Sequence, residues 1–101
     1  MKLKDGVILA GLRIEMRHAL MTADRIWRQH GQELVITAGL DGAHSAGSLH
    51  YYGLAIDCRT RYFSVGDKQL VVNALKRSLP EEFDIVSHET HIHIEFDIFK
   101  G

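Results

Sequence analysis

The segment His91-Ile92-His93-Ile94-Glu95-Phe96-Asp97-Ile98-Phe99 constrains this chain more than any other. Ile92, Ile94, Phe96 and Ile98 alternate with His91, His93, Glu95 and Asp97, the period of a β-strand with one face in a core. A slip of one residue would exchange the two sets, so the register is strongly specified. Any fold must cover one side of this strand with apolar groups. The other side then presents two imidazoles and two carboxylates together, to a cleft or to water.

The remaining elements can be read around that strand. Leu12, Met16, Ala19, Leu20, Ala23, Ile26 and Trp27 recur at helical spacing and predict an amphipathic helix over residues 12–30, with Gly31 placed to end it. His18 and His30 read as solvated helix histidines. The β-branched run 33–38 predicts a strand, and residues 39–48, with three glycines and no periodicity, a loop of functional length. A further strand is expected over 54–62, with Asp57, Arg59 and Arg61 on one face and Leu54, Ile56 and Cys58 on the other. Asp67 is expected to cap a second helix through Leu79, with Leu70, Val71, Ala74, Leu75, Ser78 and Leu79 inward and Pro80 stopping it. Strands over 83–87 and 91–99 complete the chain. This order predicts a single α+β domain spanning 1–101, a mainly antiparallel sheet with two helices packed on one face and the functional site on the other.

Composition excludes several classes of function. Twelve Lys and Arg against thirteen Asp and Glu give a formal net charge of −1, so no basic surplus supports nucleic-acid binding. No run approaches the roughly eighteen apolar residues of a membrane span. The N-terminus is too polar for a signal peptide, so the protein is expected to remain cytoplasmic on synthesis. The single cysteine, Cys58, excludes an intramolecular disulfide and reads as a buried apolar filler.

Metal chemistry is the reading that the histidines suggest. A second group, Ser48-Leu49-His50-Tyr51-Tyr52-Gly53-Leu54-Ala55-Ile56-Asp57, places His50 and Asp57 on either side of Gly53, which permits a tight bend or close backbone approach. His91 and His93, two steps apart on a strand, aim their rings at one region about 6.5 Å apart. Neutral imidazole and carboxylate both bind Zn²⁺ well, and three such ligands leave a fourth position open for water. A solvated sheet face is the alternative for the histidine pair.

Ser48-x-His50-x-x-Gly53-x-Ala55-x-Asp57 followed by His91-x-His93 resembles the D-Ala-D-Ala carboxypeptidase and L-alanyl-D-glutamate endopeptidase family of zinc peptidases, whose clan includes lysostaphin-type peptidases and the hedgehog signalling domain. The resemblance covers most of residues 33–97 and is greatest to small phage and prophage members. It implies that His50, Asp57 and His93 bind Zn²⁺, that His91 stabilises the oxyanion, and that Ser48 supports the ligands or touches substrate. Many members carry a glutamate three residues before a histidine of the final strand, but positions 88 and 90 are His88 and Thr90. Glu89 or His88 must then serve as general base, and parity along an unbroken strand ranks Glu89 first. The family's substrate-binding arginine is also missing between Arg28 and Arg59, so His44 or Arg59 is expected to replace it.

The expected function is hydrolysis of peptidoglycan peptide bonds, as endopeptidase or D,D-carboxypeptidase, by a monomeric phage or prophage lytic enzyme that reaches the wall after release. The alternative is a zinc-stabilised binding module of the same fold without turnover, as the hedgehog resemblance allows.

Overall fold

The computed structural model describes residues 1–41 and 52–97. Its elements run β1 (Lys2–Leu3), α1 (Ile14–Gln29), β2 (Val35–Ala38), β3 (Ala55–Arg59), α2 (Val65–Ser78), β4 (Phe83–Ser87) and β5 (His91–Phe96). The strands form one sheet in the order β1-β2-β3-β5-β4. β1 pairs with β2 in parallel, while β2–β3, β3–β5 and β4–β5 are antiparallel. The protein is therefore an α+β domain whose five-stranded sheet is mainly antiparallel, as expected, and mixed through the one parallel pairing of β1. β1 escapes the sequence reading because two residues cannot display a period; Lys2 N–H and Lys4 N–H donate to the Leu34 and Ile36 carbonyls at 2.8 and 2.9 Å.

Helix α1 presents Met16, Ala19, Leu20, Ala23, Ile26 and Trp27 to the core, as their spacing requires. Gly31, at φ 77°, ends it in a Schellman motif: Gly31 N–H donates to the Arg28 carbonyl and Gln32 N–H to that of Trp27. Helix α2 starts one turn earlier than expected. Ser64 is its cap, its Oγ accepting from Asp67 N–H at 3.1 Å, so Asp67 lies in the first turn rather than before it. The inward stripe differs accordingly. Leu70 is 53 % exposed and Ser78 is exposed, whereas Val71, Val72, Leu75 and Leu79 are buried.

Both helices cover the same sheet face. Ile36, Ile56, Cys58, Ile92 and Ile94 are fully buried in one cluster with the apolar stripes of α1 and α2. Across the strands Ile56 opposes Ile94 and Cys58 opposes Ile92, so the alternation of β5 finds its match in β3. β3 is shorter than the expected 54–62. β5 ends at Phe96, and Ile98 and Phe99 lie outside the described residues. No helix among the described residues is long and apolar enough to cross a membrane.

Candidate metal and catalytic site

The register that buries the isoleucines sets the polar face. Asp57 lies directly opposite His93, Arg59 opposite His91, and Ala55 opposite Glu95. His93 Nδ1 is 2.8 Å from Asp57 Oδ1, and its Nε2 is 2.7 Å from Glu95 Oε1. One imidazole is thus held between two carboxylates. His91 Nε2 is 3.9 Å from the other Asp57 oxygen. The Asp57 and His93 side chains are each 18 % exposed, so the group is sheltered yet reachable from solvent.

Burial and charge act on the two histidines in opposite directions. The Asp57 hydrogen bond raises the pKa of His93, reinforced by Glu95 and opposed by partial burial. His91 is lowered, first by burial and then by His88, His93 and Lys68, against the pull of Asp57. Because the folded pKa of His93 exceeds its unfolded value, its contribution to stability is fully present below about pH 6.5 and is lost as pH rises through the raised value. In metal-free protein, the stability advantage of wild type over His93→Gln should shrink on passing from pH 5.5 to 8.5, measured by urea unfolding. An advantage growing with pH would refute the assigned bonding.

The β4–β5 connection decides which residues join this face. Ser87 pairs with Ile92, and His88 N–H donates to the His91 carbonyl at 2.8 Å, leaving Glu89 and Thr90 as a two-residue turn. Residues opposed across an antiparallel pair share a face. His88 therefore lies with His91, their rings stacked at 4.6 Å between centroids. Parity carried back from β5 had ranked Glu89 first; the turn breaks that parity and leaves Glu89 exposed at its tip. Lys68 Nζ, on α2, donates to the His88 and Glu89 carbonyls and tethers the turn.

A register shift in β2 shapes the neighbouring edge. Ile36 opposes Cys58 but Ala38 opposes Asp57, so Thr37 is the extra residue of a β-bulge. Its hydroxyl lies 3.5 Å from the Asp57 carbonyl. Beside it opens a cleft of about 320 Å³ lined by Lys4, Thr37, Ala38, Asp57, Arg59, Arg61, Thr90 and His91. Arg59 is fixed from the core side, its carbonyl accepting from Trp27 Nε1 at 3.1 Å. Cys58, between Asp57 and Arg59, points into the core; burial and the Asp57 charge push its thiol far above the ordinary range, so it is neither ligand nor nucleophile.

His44, Ser48 and His50 lie outside the described residues. Both flanks of that segment are held by the chain preceding α1, a support that sequence reading missed. On one side, Asp41 Oδ1 accepts from Ile8 N–H at 3.0 Å and Gly39 N–H at 2.8 Å, and Leu40 N–H donates to the Ile8 carbonyl. On the other, Arg13 N–H donates to the Gly53 carbonyl at 3.0 Å. Gly53 has φ 72°, and a Cβ there would stand 2.6 Å from the Gly11 carbonyl oxygen. The close backbone approach suggested by Gly53 in the sequence is realised. Gly53→Ala is expected to cost at least ~2 kcal/mol through the left-handed backbone and the displaced Gly11 carbonyl; denaturant unfolding within ~0.5 kcal/mol of wild type would contradict it.

Among the described residues no group of three His, Cys, Asp or Glu side chains is assembled to hold a metal ion. Asp57 and His93 nevertheless form a carboxylate–imidazole pair of the kind Zn²⁺ accepts, and the Glu95 contact on the far ring nitrogen is the arrangement typical of metal-bound histidine. No protein-family model, curated protein or solved structure matches the chain.

Proposed function

We propose that the protein is a zinc-dependent peptidase that hydrolyses peptide bonds of peptidoglycan, as a phage or prophage lytic enzyme. The observation that carries this reading is the 2.8 Å pairing of Asp57 with His93 on the polar sheet face, beside His91 and within the same sheltered group. With His50 from the first motif, Asp57 and His93 would hold the metal. When bound, Zn²⁺ supplies a Lewis acid that acidifies water and polarises the scissile carbonyl.

The chain's own residues supply the rest. Glu95 fixes the ring of His93 through Nε2, leaving Nδ1 turned towards Asp57. His91, its pKa lowered chiefly by burial, is neutral near pH 7 and donates one N–H to the oxyanion that develops on the substrate. Stacking against His91 supports His88, rather than Glu89, as the base that takes the proton from water and passes it to the leaving amine.

Two results follow for the metal. Glu95→Gln should weaken zinc binding by roughly 10–100-fold, because the ring loses its charged anchor; unchanged affinity by competition with a chromophoric chelator would dissociate Glu95 from the site. Zinc affinity should also fall with acidity from above about pH 6.5, since the proton on His93 competes with the metal. Affinity flat from pH 8 to 5 would contradict histidine ligation.

The deciding experiment is release of new amino termini from purified peptidoglycan, with and without a chelator and zinc add-back, followed by mass analysis. Zinc-dependent release supports the peptidase and names the bond. A protein that holds one zinc and releases nothing is the non-catalytic module instead.

A further inference from the structure

The cleft beside the Asp57–His93 pair has an unusual charge balance. Lys4, Arg59 and Arg61 line it, and Asp57 is its only carboxylate among the described lining residues. None of the three cations has a carboxylate within ion-pair distance among the described residues, whereas Arg28 is paired with Asp24 at 2.7 Å. They come from two separate parts of the chain. Lys4 follows β1 and is held by the Ile36 carbonyl; Arg59 ends β3, and Arg61 lies just beyond it. The Trp27 indole donates to the Arg59 carbonyl, and Thr60 N–H donates to the Thr90 carbonyl at 3.1 Å, so the peptide group between the two arginines is held through both its oxygen and its nitrogen. Thr37 and Thr90 add hydroxyls to the same walls.

From this arrangement we infer that the cleft is a binding site for an anionic ligand group, and that the group is a carboxylate. Two guanidiniums and an ammonium line one polar cleft, and a guanidinium fork suits the planar, two-oxygen geometry of a carboxylate. Asp57 selects for low charge, since a dianionic phosphate lodged beside it would meet stronger repulsion than a monoanion. Because Asp57 and His91 form one wall of the cleft, a carboxylate seated on Lys4, Arg59 and Arg61 lies next to the candidate hydrolytic group. The free carboxylate of a short peptide would thereby set which bond is presented. Assigning the ligand to a peptide substrate rests on the proposed peptidase function; the anion site itself does not.

Isotope-labelled metal-free protein titrated with N-acetyl-alanyl-alanine, with the same peptide as its C-terminal amide, and with inorganic phosphate tests this by NMR. The carboxylate peptide should shift the Arg59 and Arg61 side-chain N–H signals and the Thr37 and Thr90 amides, with binding at least tenfold tighter than the amide. Arg61→Gln and Lys4→Gln, at exposed positions, should each weaken it severalfold and leave the folded spectrum intact. Equal binding of acid and amide, or shifts confined to other surfaces, would overturn the site. Phosphate binding more tightly than the peptide acid at these residues would overturn the carboxylate assignment. Carboxylate binding in a protein that releases nothing from peptidoglycan would sink the peptidase reading and leave the site standing.

Discussion

Asp57→Asn is expected to abolish zinc-dependent hydrolysis and to lower zinc affinity by roughly a thousandfold. Asparagine keeps the shape of the side chain and can still meet His93 Nδ1, so the sheet should remain folded. What disappears is the negative charge that the proposed zinc site would draw on. An apparent zinc binding free energy of about 10–16 kcal/mol shared among three or four ligands makes one of them worth about 3–5 kcal/mol. Circular dichroism should be unchanged while zinc stoichiometry at micromolar metal falls away. Full retention of one tight zinc and of peptidoglycan hydrolysis by this variant would remove Asp57 from the metal and end the reading proposed above.

The largest effect on stability is expected at Trp27. Its side chain is fully buried where α1 meets the sheet, packs edge-on against Phe63 at 5.8 Å between centroids, and donates its indole N–H to the Arg59 carbonyl. Trp27→Ala should cost about 3–5 kcal/mol, a large part of the 5–15 kcal/mol typical of a whole domain. Trp27→Phe keeps most of the apolar volume and strands the carbonyl, which is worth about 1–3 kcal/mol. Urea unfolding of the two variants separates packing from hydrogen bonding. A loss below ~1 kcal/mol for Trp27→Ala would mean that the interior between α1 and β3 is far looser than described.

These two positions differ in how openly the sequence announces them. Trp27 stands in a helical stripe, and Asp57 stands in strand alternation opposite a histidine strand, so period alone directs one to the core and the other to the polar face. Long elements with clear periods were legible for that reason: α1, and β5 with its partner β3. The parts that escaped are those governed by backbone bonds or by single residues. β1 is two residues held by main-chain bonds and has no pattern to read. Ser64 and Asp67 are both good caps three residues apart, and only the observed bond to Asp67 N–H distinguishes them. Thr37 resembles any strand threonine until the register shift around it is seen. His88 and Glu89 illustrate the same limit at the site. Alternation is a rule within a strand, and it cannot be carried through a two-residue turn. The clamp of Ile8 and Arg13 on the flanks of the segment bearing His50 was equally invisible, because it joins main-chain groups, and the Asp41 carboxylate, across long stretches of sequence.

Cys58 gives the molecule a built-in clock. Its sulfur is sealed beneath the helices in the central strand, one residue from Asp57, and no other thiol competes with it. A thiol-specific reagent or an oxidant can reach that sulfur only when β3 parts from its cover, so the rate of labelling counts openings of the sheet itself. The same sealing divides the two faces chemically: the strand that carries Asp57 outward carries its thiol inward. Peroxide in the surroundings therefore does not meet the Cys58 sulfur while the fold holds.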